Sequence, residues 1–375
     1  MLNSVIVATM NDTLSLPRQD ISFVRSRDGT RIAVASMGHG PVIVRAAHWL
    51  GHVSQDVNSP VWRPWLERLT RANRLLRYDL RGCGLSDRSV SRIDFEAWYE
   101  DLEAVTAPLQ QPFVLLGMSQ GAALSITYAL RHPERVSKLV LIGGYGRGLL
   151  ARGGGEPARL EAETLANLMR LGWGVEGSAF SRVFTRLFVP GGTADQVGWW
   201  REMERHAASP HIAVRTLAIL NEIDVMDAAA QLDLPVLVLH SRGDARIPFD
   251  EGRRLAATIR GARLVTLDSS NHVLLAQEPA WDAMWQEIAG FLDDSKAHRP
   301  VESATVFADL SPAEREVLSS LAEGLGNAAI ATRLGKSEKT VRNQVSIVLA
   351  KLGVNSRSEA IVRVLSMKEG QMPRH

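Results

Sequence analysis

Residues 112–130, PFVLLGMSQGAALSITYAL, decide the fold of the N-terminal part of the chain. A β-rich apolar run ends in Gly117-Met118-Ser119-Gln120-Gly121, and an apolar helical segment follows at once. The pattern G-x-S-x-G places its serine on a tight strand-to-helix turn, where only small neighbours let the backbones approach. The sequence therefore predicts that Ser119 stands at the carboxyl end of a strand, beside a helix N-terminus that favours negative charge.

Seven further β-rich apolar runs surround this one. The eight predicted strands are 21–26, 31–36, 41–46, 74–79, 112–118, 138–144, 235–240 and 262–267. Helix-length segments separate most of the last five, which predicts an α/β fold with a mostly parallel sheet and helices on both faces. The first three follow one another closely and fit an antiparallel start of the sheet. Their non-alternating composition suits strands that are buried on both faces.

Two segments interrupt this alternation of strands and helices. No strand is predicted from about 149 to 231, where helical periodicity dominates, so we expect an inserted helical cap there. After Phe291, the polar and proline-containing stretch DDSKAHRPVESATV has the composition of a linker. Four helices are predicted beyond it, at roughly 312–323, 327–334, 337–352 and 357–367. We therefore expect a first domain at 1–292, a linker at 293–307 and a small all-α domain at 308–375.

The bulk composition excludes several classes of protein. Hydrophobic residues make up 45% of the chain and charged residues 22%, which is ordinary for a globular protein, and the formal net charge is +2. The single cysteine, Cys83, excludes a disulfide framework and a multi-cysteine metal site within the chain, and no cofactor is indicated. No stretch approaches the roughly 20 apolar residues that span a bilayer, and the first residues lack the basic start of a signal peptide. A cytoplasmic protein without membrane contacts is the consistent interpretation.

Two later residues have the chemistry that would activate Ser119. Asp244 follows the run PVLVLH and His272 follows ARLVTL, so each stands just past the carboxyl end of a predicted strand. Asp233 and His240 are rival candidates, but they lie at a strand start and within a strand, away from that edge. The arrangement predicts a Ser-His-Asp triad for nucleophilic acyl transfer. The alternative is that Asp244 caps a turn and His272 is an ordinary loop histidine.

These features resemble the α/β-hydrolase fold over about residues 20–290, in which the triad follows the same order along the chain. Residues 78–87, YDLRGCGLSD, are similar to the D-x-R-G-x-G-x-S loop that is common in that family. The resemblance implies a structural turn under the active site, without a catalytic role for Asp79 or Arg81. Cys83 is expected to pack within this turn, and a reactive thiol is the less favoured alternative.

One departure from the family pattern falls at the oxyanion site. The family usually carries His-Gly after the third strand, whereas the corresponding string here is Ala47-His48-Trp49, with His48 in the glycine position. The resemblance implies that the backbone N–H groups of Trp49 and Gln120 donate to the oxyanion. A missing glycine can tilt the first donor, and loss of one such donor costs on the order of 10²–10³ in rate. This favours slow turnover in an intact pocket.

Aromatic side chains are frequent in the predicted cap. Most are expected to pack the helices of the cap against one another and to seal the cap on the sheet. Some should face a pocket above Ser119, and the candidates for its wall are His48, Trp173, Phe184, Trp199 and Trp200. The implied ligand is small and at least partly apolar.

The C-terminal residues carry helix signals of a different kind. Ser311-Pro312-Ala313-Glu314 combines a capping serine, a proline at the first helical position and a glutamate that can reach back. In the third predicted helix, one face is apolar and the opposite face presents Lys, Arg and Asn. The apolar residues are Val341, Val345, Val348 and Leu352, with Leu349 close by. Such a helix suits reading of the DNA major groove, although composition alone leaves a solvated amphipathic helix as an alternative.

Longer motifs resemble the LuxR/GerE-type DNA-binding domain over about residues 308–367. They are L-S-x-x-E-R-E-V-L, A-x-G-L-x-N-x-x-I-A-x-R-L, S-x-x-T-V-R and K-L-G-V-x-S-R. The resemblance implies base contacts by Arg342, Asn343 and Ser346, and phosphate contacts by Lys339, Thr340 and Lys351. Ala329 and Gln344 depart from the family pattern at positions that are not central to base reading. The fourth predicted helix resembles the dimerisation helix of the family, with packing onto the third helix as an equal alternative.

The two parts together leave two principal hypotheses. The first is a DNA-binding transcription regulator whose hydrolase-like domain senses a small ligand, with slow hydrolysis as an optional part of reception. Its expected partners are promoter DNA, the ligand, a second copy in a homodimer, and RNA polymerase. The second is an active serine hydrolase of the ester or lactone class that carries an accessory helix-turn-helix domain. A third, weaker hypothesis is a catalytically idle sensor pocket, and we favour the first.

Overall fold

The structure is a computed structural model and describes residues 16–49, 51–293, 311–322 and 325–351. The chain divides into two compact units, Met1–Leu292 and Asp293–His375. The proposed linker at 293–307 lies almost wholly outside the described residues, and so does the fourth predicted helix at 357–367. Among the helices that are described, none combines the length and the apolar composition needed to cross a bilayer.

The described residues of the first unit form an eight-stranded sheet. Its strands, β1 to β8 in chain order, are Asp20–Arg25, Arg31–Met37, Val42–Arg45, Arg74–Tyr78, Phe113–Met118, Val136–Ile142, Val236–Ser241 and Arg263–Leu267. Their order across the sheet is β1-β2-β4-β3-β5-β6-β7-β8. The β1/β2 and β2/β4 pairs are antiparallel and every other pair is parallel. The α/β fold and the mostly parallel sheet predicted from the sequence are confirmed.

Two expectations about the first strands are wrong. β3 does not continue an antiparallel start, because it lies between β4 and β5 and is parallel to both, with Ile43 opposite Leu75 and Val114. β1 is not buried on both faces, since all its residues are exposed or half-buried. As the terminal strand of the sheet, β1 is paired on one side only. Burial on both faces does hold for most of β2 and β3.

Helices cover the sheet and fill the predicted cap segment. Those of the first unit, α1 to α10, are Trp62–Thr70, Phe95–Thr106, Gly121–Arg131, Gly155–Gly172, Ala179–Phe188, Ala194–Ala207, Pro210–Glu222, Met226–Ala230, Phe249–Thr258 and Pro279–Leu292. Helices α4 to α8 all lie between β6 and β7, so the cap is a helical insertion. Local sequence sets its helix starts: Thr193 and Gln196 form a reciprocal capping box at α6, and the Ser209 side chain caps α7.

Three helices form the described part of the second unit. They are Pro312–Ala322 (α11), Asn327–Leu334 (α12) and Glu338–Lys351 (α13). The backbone N–H of Ser311 donates to Glu314 Oε2 at 2.7 Å and that of Glu314 to Ser311 Oγ at 3.3 Å, as the capping pattern predicts. Gly335, at a φ of 62°, permits the left-handed turn that ends α12. The three helices enclose a small core of Val317, Leu318, Leu321, Ile330, Ala331, Val341, Val345 and Val348.

Candidate functional site

Ser119 occupies the turn between β5 and α3 in a strained conformation. Its φ of 52° lies in the left-handed region, and no other non-glycine residue in the described part of the chain has a positive φ. A Cβ atom at Gly117 would lie 2.6 Å from the carbonyl oxygen of Gly121, and one at Gly121 would lie 3.2 Å from that of Ala47. Sterics therefore require glycine at Gly117, whereas a side chain at Gly121 would crowd the Ala47 carbonyl, and the turn holds Ser119 at the wall of a cavity.

His272 and Asp244 form a buried hydrogen-bonded pair. His272 Nδ1 lies 2.8 Å from Asp244 Oδ2. Because an ionised carboxylate only accepts, the imidazole donates from Nδ1, which leaves Nε2 able to take up a proton. Asp244 Oδ1 accepts from the backbone N–H groups of Arg246 and Ile247, both at 2.8 Å. Burial alone would raise the pKa of Asp244, but His272 and these hydrogen bonds outweigh it and hold the pKa below its usual value.

Ser119 and His272 line the same cavity. No hydrogen bond joins their side chains among the contacts of the described residues. In unliganded active sites this bond is often long and tightens only when substrate binds. The three residues grouped from the sequence thus stand at one edge of the sheet, with the His272–Asp244 pair already formed.

The two rival residues lie in different surroundings. Asp233 is exposed, and its carboxylate pairs with the exposed Arg260 guanidinium at 2.5 Å. His240 is fully buried within β7, where its Nε2 donates to the carbonyl oxygen of Ile247 at 3.1 Å. His240 Nε2 also lies 3.5 Å from Asp244 Oδ2, so the buried His240 ring contacts the candidate acid. Burial lowers the pKa of His240, which keeps this neighbour neutral.

The backbone at the expected oxyanion site provides N–H groups as hydrogen-bond donors. Among the described residues, no acceptor is paired with the backbone N–H of Trp49 or with that of Gln120. Gln120 follows Ser119 at the start of α3, and both Trp49 and Gln120 line cavity walls next to Ser119. Two N–H donors that line the same cavity as the serine are the kind of groups that stabilise a developing oxyanion.

His48 is buried beside this site in one defined state. Its ring stacks on Trp62, with 4.6 Å between the centroids, and its Nδ1 lies 2.7 Å from the carbonyl oxygen of Trp49. A carbonyl oxygen accepts, so Nδ1 carries the proton and donates. Burial, reinforced by the nearby Arg45 guanidinium, lowers the pKa of His48 well below its usual value. His48 is therefore a neutral imidazole with a fixed tautomer.

Two adjoining cavities lie against Ser119. The first is lined by His48, Trp49, Trp62, Met118, Ser119, Ile142, Phe188, Trp200, His272 and Val273. The second adds Gln120, Tyr145, Phe184, Leu217, Leu220, Arg246 and Ile247. Trp49, Ser119 and Phe188 belong to both walls. Three of the predicted wall residues, His48, Phe184 and Trp200, thus have the predicted position.

The other two predicted wall residues do not line either cavity. Trp173 is buried behind the wall, where its indole N–H donates to the carbonyl oxygen of Ala208 at 2.9 Å and its ring packs on Trp49. Trp199 is half-buried on α6, next to Trp200. Successive helical residues point about 100° apart, so Trp200 can face the cavity only if Trp199 turns away. The aromatic pattern of the cap does not indicate which of the two faces inward.

The loop after β4 is a structural turn. The Asp79 carboxylate accepts from the backbone N–H groups of Val53 at 2.8 Å and Leu85 at 2.9 Å. A Cβ atom at Gly84 would lie 2.1 Å from Asp79 Oδ2, which explains the glycine. Cys83 is buried in this turn, and burial raises the pKa of its thiol to about 12, so the structure does not favour a reactive thiolate.

A buried ion pair anchors the same loop to helix α2. Arg81 Nε and Nη2 donate to the two carboxylate oxygens of Asp101 at 2.8 and 2.7 Å, and neither side chain is exposed. Arg81 Nη1 also donates to Asp28 at 2.6 Å. This bidentate geometry is the strong form of an Arg–carboxylate contact. Arg81 therefore stabilises the turn under the site and has no contact with the reacting residues.

Glu204, on cap helix α6, is a buried acid that the sequence pattern did not indicate. Its side chain is fully buried, and Thr185 Oγ1 donates to its Oε1 at 3.2 Å. Burial raises the pKa of Glu204 to about 7, although the Ser181 and Thr185 hydroxyls oppose the shift. Its neighbour Glu202 is exposed, so no local signal in this polar helix distinguishes the two.

We expect Glu204 to make the stability of the cap depend on pH. Its pKa is about 7 in the folded chain against a reference value of 4.5, so the folded state binds more protons between these pH values. The free energy of unfolding should therefore fall as pH rises through this window, by an amount on the order of 2–3 kcal/mol. Glu204→Gln should flatten this dependence in urea unfolding measured at several pH values. Glu202→Gln is the matched control, and parallel curves for wild type and Glu204→Gln would contradict the prediction.

The DNA-facing residues predicted on α13 form one exposed surface. Val341, Val345 and Val348 are buried, and the opposite side of the helix is open. The exposed residues are Lys339, Thr340, Arg342, Asn343 and Ser346. The side chain of Lys351 falls outside the described set. The helix thus presents a polar face with two cations and an amide, and its apolar face packs against α11 and α12.

Local hydrogen bonds tie some of these side chains to the helix. Ser346 Oγ donates to the carbonyl oxygen of Arg342 at 3.2 Å, and Thr340 Oγ1 lies 2.7 Å from Ser337 Oγ at the helix start. Arg342 Nη2 is 3.4 Å from Glu338, an exposed pair of small energetic weight. Gln344 is one of the two departures from the family pattern. Its side-chain oxygen accepts a hydrogen bond from Lys336, which links α13 to the turn that precedes it. Arg342 and Asn343 are both exposed on α13.

Matches to family models, taken with the fold, define the class of protein. Residues 49–186 match the family model described as the alpha/beta hydrolase fold, and residues 218–303 match one described as a TAP-like protein. Residues 308–364 match the model of bacterial regulatory proteins of the luxR family. The chain thus joins an α/β-hydrolase domain to a C-terminal LuxR-type DNA-binding domain, and both resemblances stated from the sequence are confirmed.

Individual relatives show the same division. AB hydrolase superfamily protein YisY of Bacillus subtilis is 25% identical over 259 residues, which is 68% of this chain and 94% of YisY. Probable HTH-type transcriptional regulator GfsR of Streptomyces halstedii is 47% identical over 66 residues, 18% of this chain and 27% of GfsR. An esterase from Exiguobacterium antarcticum shares the fold, with a TM-score of 0.62 and 22% identity over 72% of this chain and 98% of the esterase.

Proposed function

We propose that the chain is a transcription regulator whose hydrolase domain receives a small, partly apolar ligand in the cavity beside Ser119. One observation carries the proposal: Ser119 and His272, whose ring is hydrogen-bonded to Asp244, line an aromatic-walled cavity in a chain that also has a LuxR-type DNA-binding domain. The proposed partners are promoter DNA, a second copy in a homodimer, and RNA polymerase, in the cytoplasm. No metal or cofactor is required by this scheme.

The proposed chemistry is acyl transfer from an ester or lactone. Ser119 Oγ attacks the carbonyl carbon while His272 Nε2 takes the hydroxyl proton, and Asp244 orients the imidazole and stabilises its charged form. The N–H groups of Trp49 and Gln120 would hold the negative charge on the carbonyl oxygen. His272 then returns the proton to the departing alkoxide, which leaves an acyl-serine. Water releases the acid by the same two steps.

Slow turnover would suit a receptor, and the site has features that favour it. Bulky aromatic rings form most of the wall of the first cavity and leave little free space between them. His48, in place of the usual glycine, bonds to the next residue and stiffens the oxyanion segment. A ligand that stays bound can bias DNA binding only through different affinities for the two states of the protein.

The alternative is an active serine hydrolase with an accessory DNA-binding domain. The intact His272–Asp244 pair favours it, and so do relatives that carry the names of hydrolases and esterases. The two functions differ in one measurable respect. A regulator changes its DNA occupancy with the ligand, whereas a free-standing hydrolase does not.

Capture of genomic DNA by the purified full-length chain tests the proposed function. DNA of the source organism is incubated with the protein, alone and with each member of a panel of small esters and lactones, and the retained fragments are sequenced. We expect enrichment of a few sites, with an occupancy that at least one compound changes. Recovery of the same fragments under all conditions, together with rapid ester hydrolysis, would support the alternative.

Arg342→Ala should weaken binding to the captured site. Arg342 is exposed on the polar face of α13, and a bidentate arginine–guanine contact is worth about 1–3 kcal/mol. Fluorescence anisotropy at fixed salt should therefore show a loss of roughly fivefold to 150-fold, confined to one base position when single-base variants of the site are compared. Arg315→Ala removes the same charge from α11 and serves as the control. Equal losses for both variants would rule out base reading by Arg342.

A further inference from the structure

Within the part of the chain that the structure describes, three buried polar atoms in the cavity wall have no hydrogen-bond partner. They are His48 Nε2, Trp49 Nε1 and Trp200 Nε1, and their side chains are at most 7% exposed. All three residues line the cavity that also contains Ser119 and His272. Buried polar atoms are nearly always paired in folded proteins, so a cluster of unpaired ones beside a candidate nucleophile points to a ligand with matching polar groups.

The hydrogen-bonding role of each atom is defined. His48 Nδ1 donates to the carbonyl oxygen of Trp49 at 2.7 Å, so His48 Nε2 carries a lone pair and can only accept. An indole Nε1 carries a hydrogen and can only donate. The wall therefore offers one acceptor, on His48, and two donors, on Trp49 and Trp200.

The acceptor residue His48 and the donor residue Trp200 share a neighbour in the cavity wall, Trp62. The Trp62 ring lies against both residues: 4.6 Å from the His48 ring in a stacked arrangement and 6.1 Å from the Trp200 ring. Phe188 covers Trp200 from the other side, with 5.3 Å between the ring centroids. His48 and Trp200 are thus packed among aromatic rings in a cavity wall that also contains Met118, Ile142 and Val273.

We propose that the ligand is a small ester or lactone with a free hydroxyl group, which donates to His48 Nε2 and accepts from Trp200 Nε1. The inference rests on the proposed function, because it assumes that the acyl carbonyl lies at Ser119. A hydroxyl is the smallest group that both donates and accepts, and it therefore satisfies both atoms at once. A methylene in the same place would leave both unpaired. His48 thereby becomes a specificity-determining residue at the position where its family usually has glycine.

Paired esters that differ by one hydroxyl test this inference. The dissociation constants of ethyl butyrate, ethyl 2-hydroxybutyrate and ethyl 3-hydroxybutyrate are measured in the Ser119→Ala background by isothermal titration calorimetry, so that turnover does not interfere. We expect one hydroxy ester to bind roughly tenfold more tightly than ethyl butyrate. Acylation of the wild-type chain by the same esters, followed by mass spectrometry, reports separately on Ser119.

Variants of His48 assign the preference to its ring nitrogen. His48→Phe keeps a ring on Trp62 but removes the acceptor. The hydroxy ester should then bind to this variant no more tightly than ethyl butyrate does. His48→Gln can place an amide oxygen near the position of Nε2 and should restore part of the preference, which would exclude general misfolding. Trp200→Phe removes the donor and should reduce the preference as well. Trp199→Phe, one residue away and outside the cavity, is the control that should retain it.

The outcomes separate the inference from the proposed function. Equal binding of all three esters, or a hydroxyl preference that survives His48→Phe, would overturn the inference and leave a ligand site with a water molecule at His48. If none of the esters binds to Ser119→Ala and none acylates the wild-type chain, the proposed site itself fails, and the inference fails with it.

Discussion

Replacing Ser119 by alanine should lower the rate of acyl-enzyme formation by at least about 10⁴-fold. Alanine removes the oxygen that bonds to the carbonyl carbon, while the cavity and the His272–Asp244 pair stay in place. The φ of 52° at this position disfavours alanine only slightly more than serine, so the turn should persist. The measurement is the burst of nitrophenolate from p-nitrophenyl butyrate, with the butyryl adduct followed by mass spectrometry of the intact chain.

A control and a second measurement make this result decisive. Ser22→Ala, on the exposed terminal strand β1, removes a hydroxyl of the same kind and should leave the burst intact. Persistence of the adduct in Ser119→Ala would exclude Ser119 as the nucleophile. DNA occupancy should be measured on the same variant. A ligand response that survives in full would show that reception needs binding alone, without acyl transfer.

Asp101→Ala should reduce the free energy of unfolding of the hydrolase domain by about 3–5 kcal/mol. The substitution leaves the Arg81 guanidinium buried without its bidentate partner, and Asp28 becomes its only anionic contact among the described residues, beside the neutral acceptors Ser26 Oγ and the Arg92 carbonyl oxygen. Removing one member of a buried ion pair costs much more than the pair contributes, because the remaining charge cannot regain its hydration. Urea unfolding of the full chain, followed by tryptophan fluorescence, measures the loss.

An exposed Asp–Arg pair supplies the matched control. Asp233 and Arg260 form a contact of 2.5 Å, but their side chains are 82% and 75% exposed. Asp233→Ala should change the free energy of unfolding by less than about 1 kcal/mol, since solvent screens the pair. If Asp101→Ala and Asp233→Ala lowered the free energy of unfolding by similar amounts, burial would not be the reason for the larger expected effect at the Arg81–Asp101 pair.

Much of the fold follows from local patterns in the sequence. Eight strands and the helical cap segment correspond to apolar runs and helical periodicity, and the G-x-S-x-G turn follows from steric limits around Gly117 and Gly121. These features depend on residues close together in the chain. The position of β3 does not, because it depends on which of several apolar strands pair across the sheet.

The candidate site divides in the same way. The order Ser119, Asp244, His272 could be predicted because each residue follows a strand, and parallel strands bring their carboxyl ends to one edge. The inward position of Trp200 and the outward position of Trp199 depend on the rotation of α6 against the sheet. The burial of Glu204 depends on the packing of α5 against α6.

By itself, the sequence determined a serine-turn α/β fold and a capped helical C-terminal unit, because turn sterics, capping and hydrophobic periodicity act over a few residues. The helix-turn-helix assignment of that unit followed from its resemblance to the LuxR/GerE-type domain. Only the tertiary structure decided the chemistry of the cavity. The tautomer of His48, the unpaired nitrogen atoms of Trp49 and Trp200, and the composition of the wall all arise where segments distant in the chain meet. Burial and hydrogen-bond pairing depend on these long-range contacts, which short-range sequence patterns do not specify.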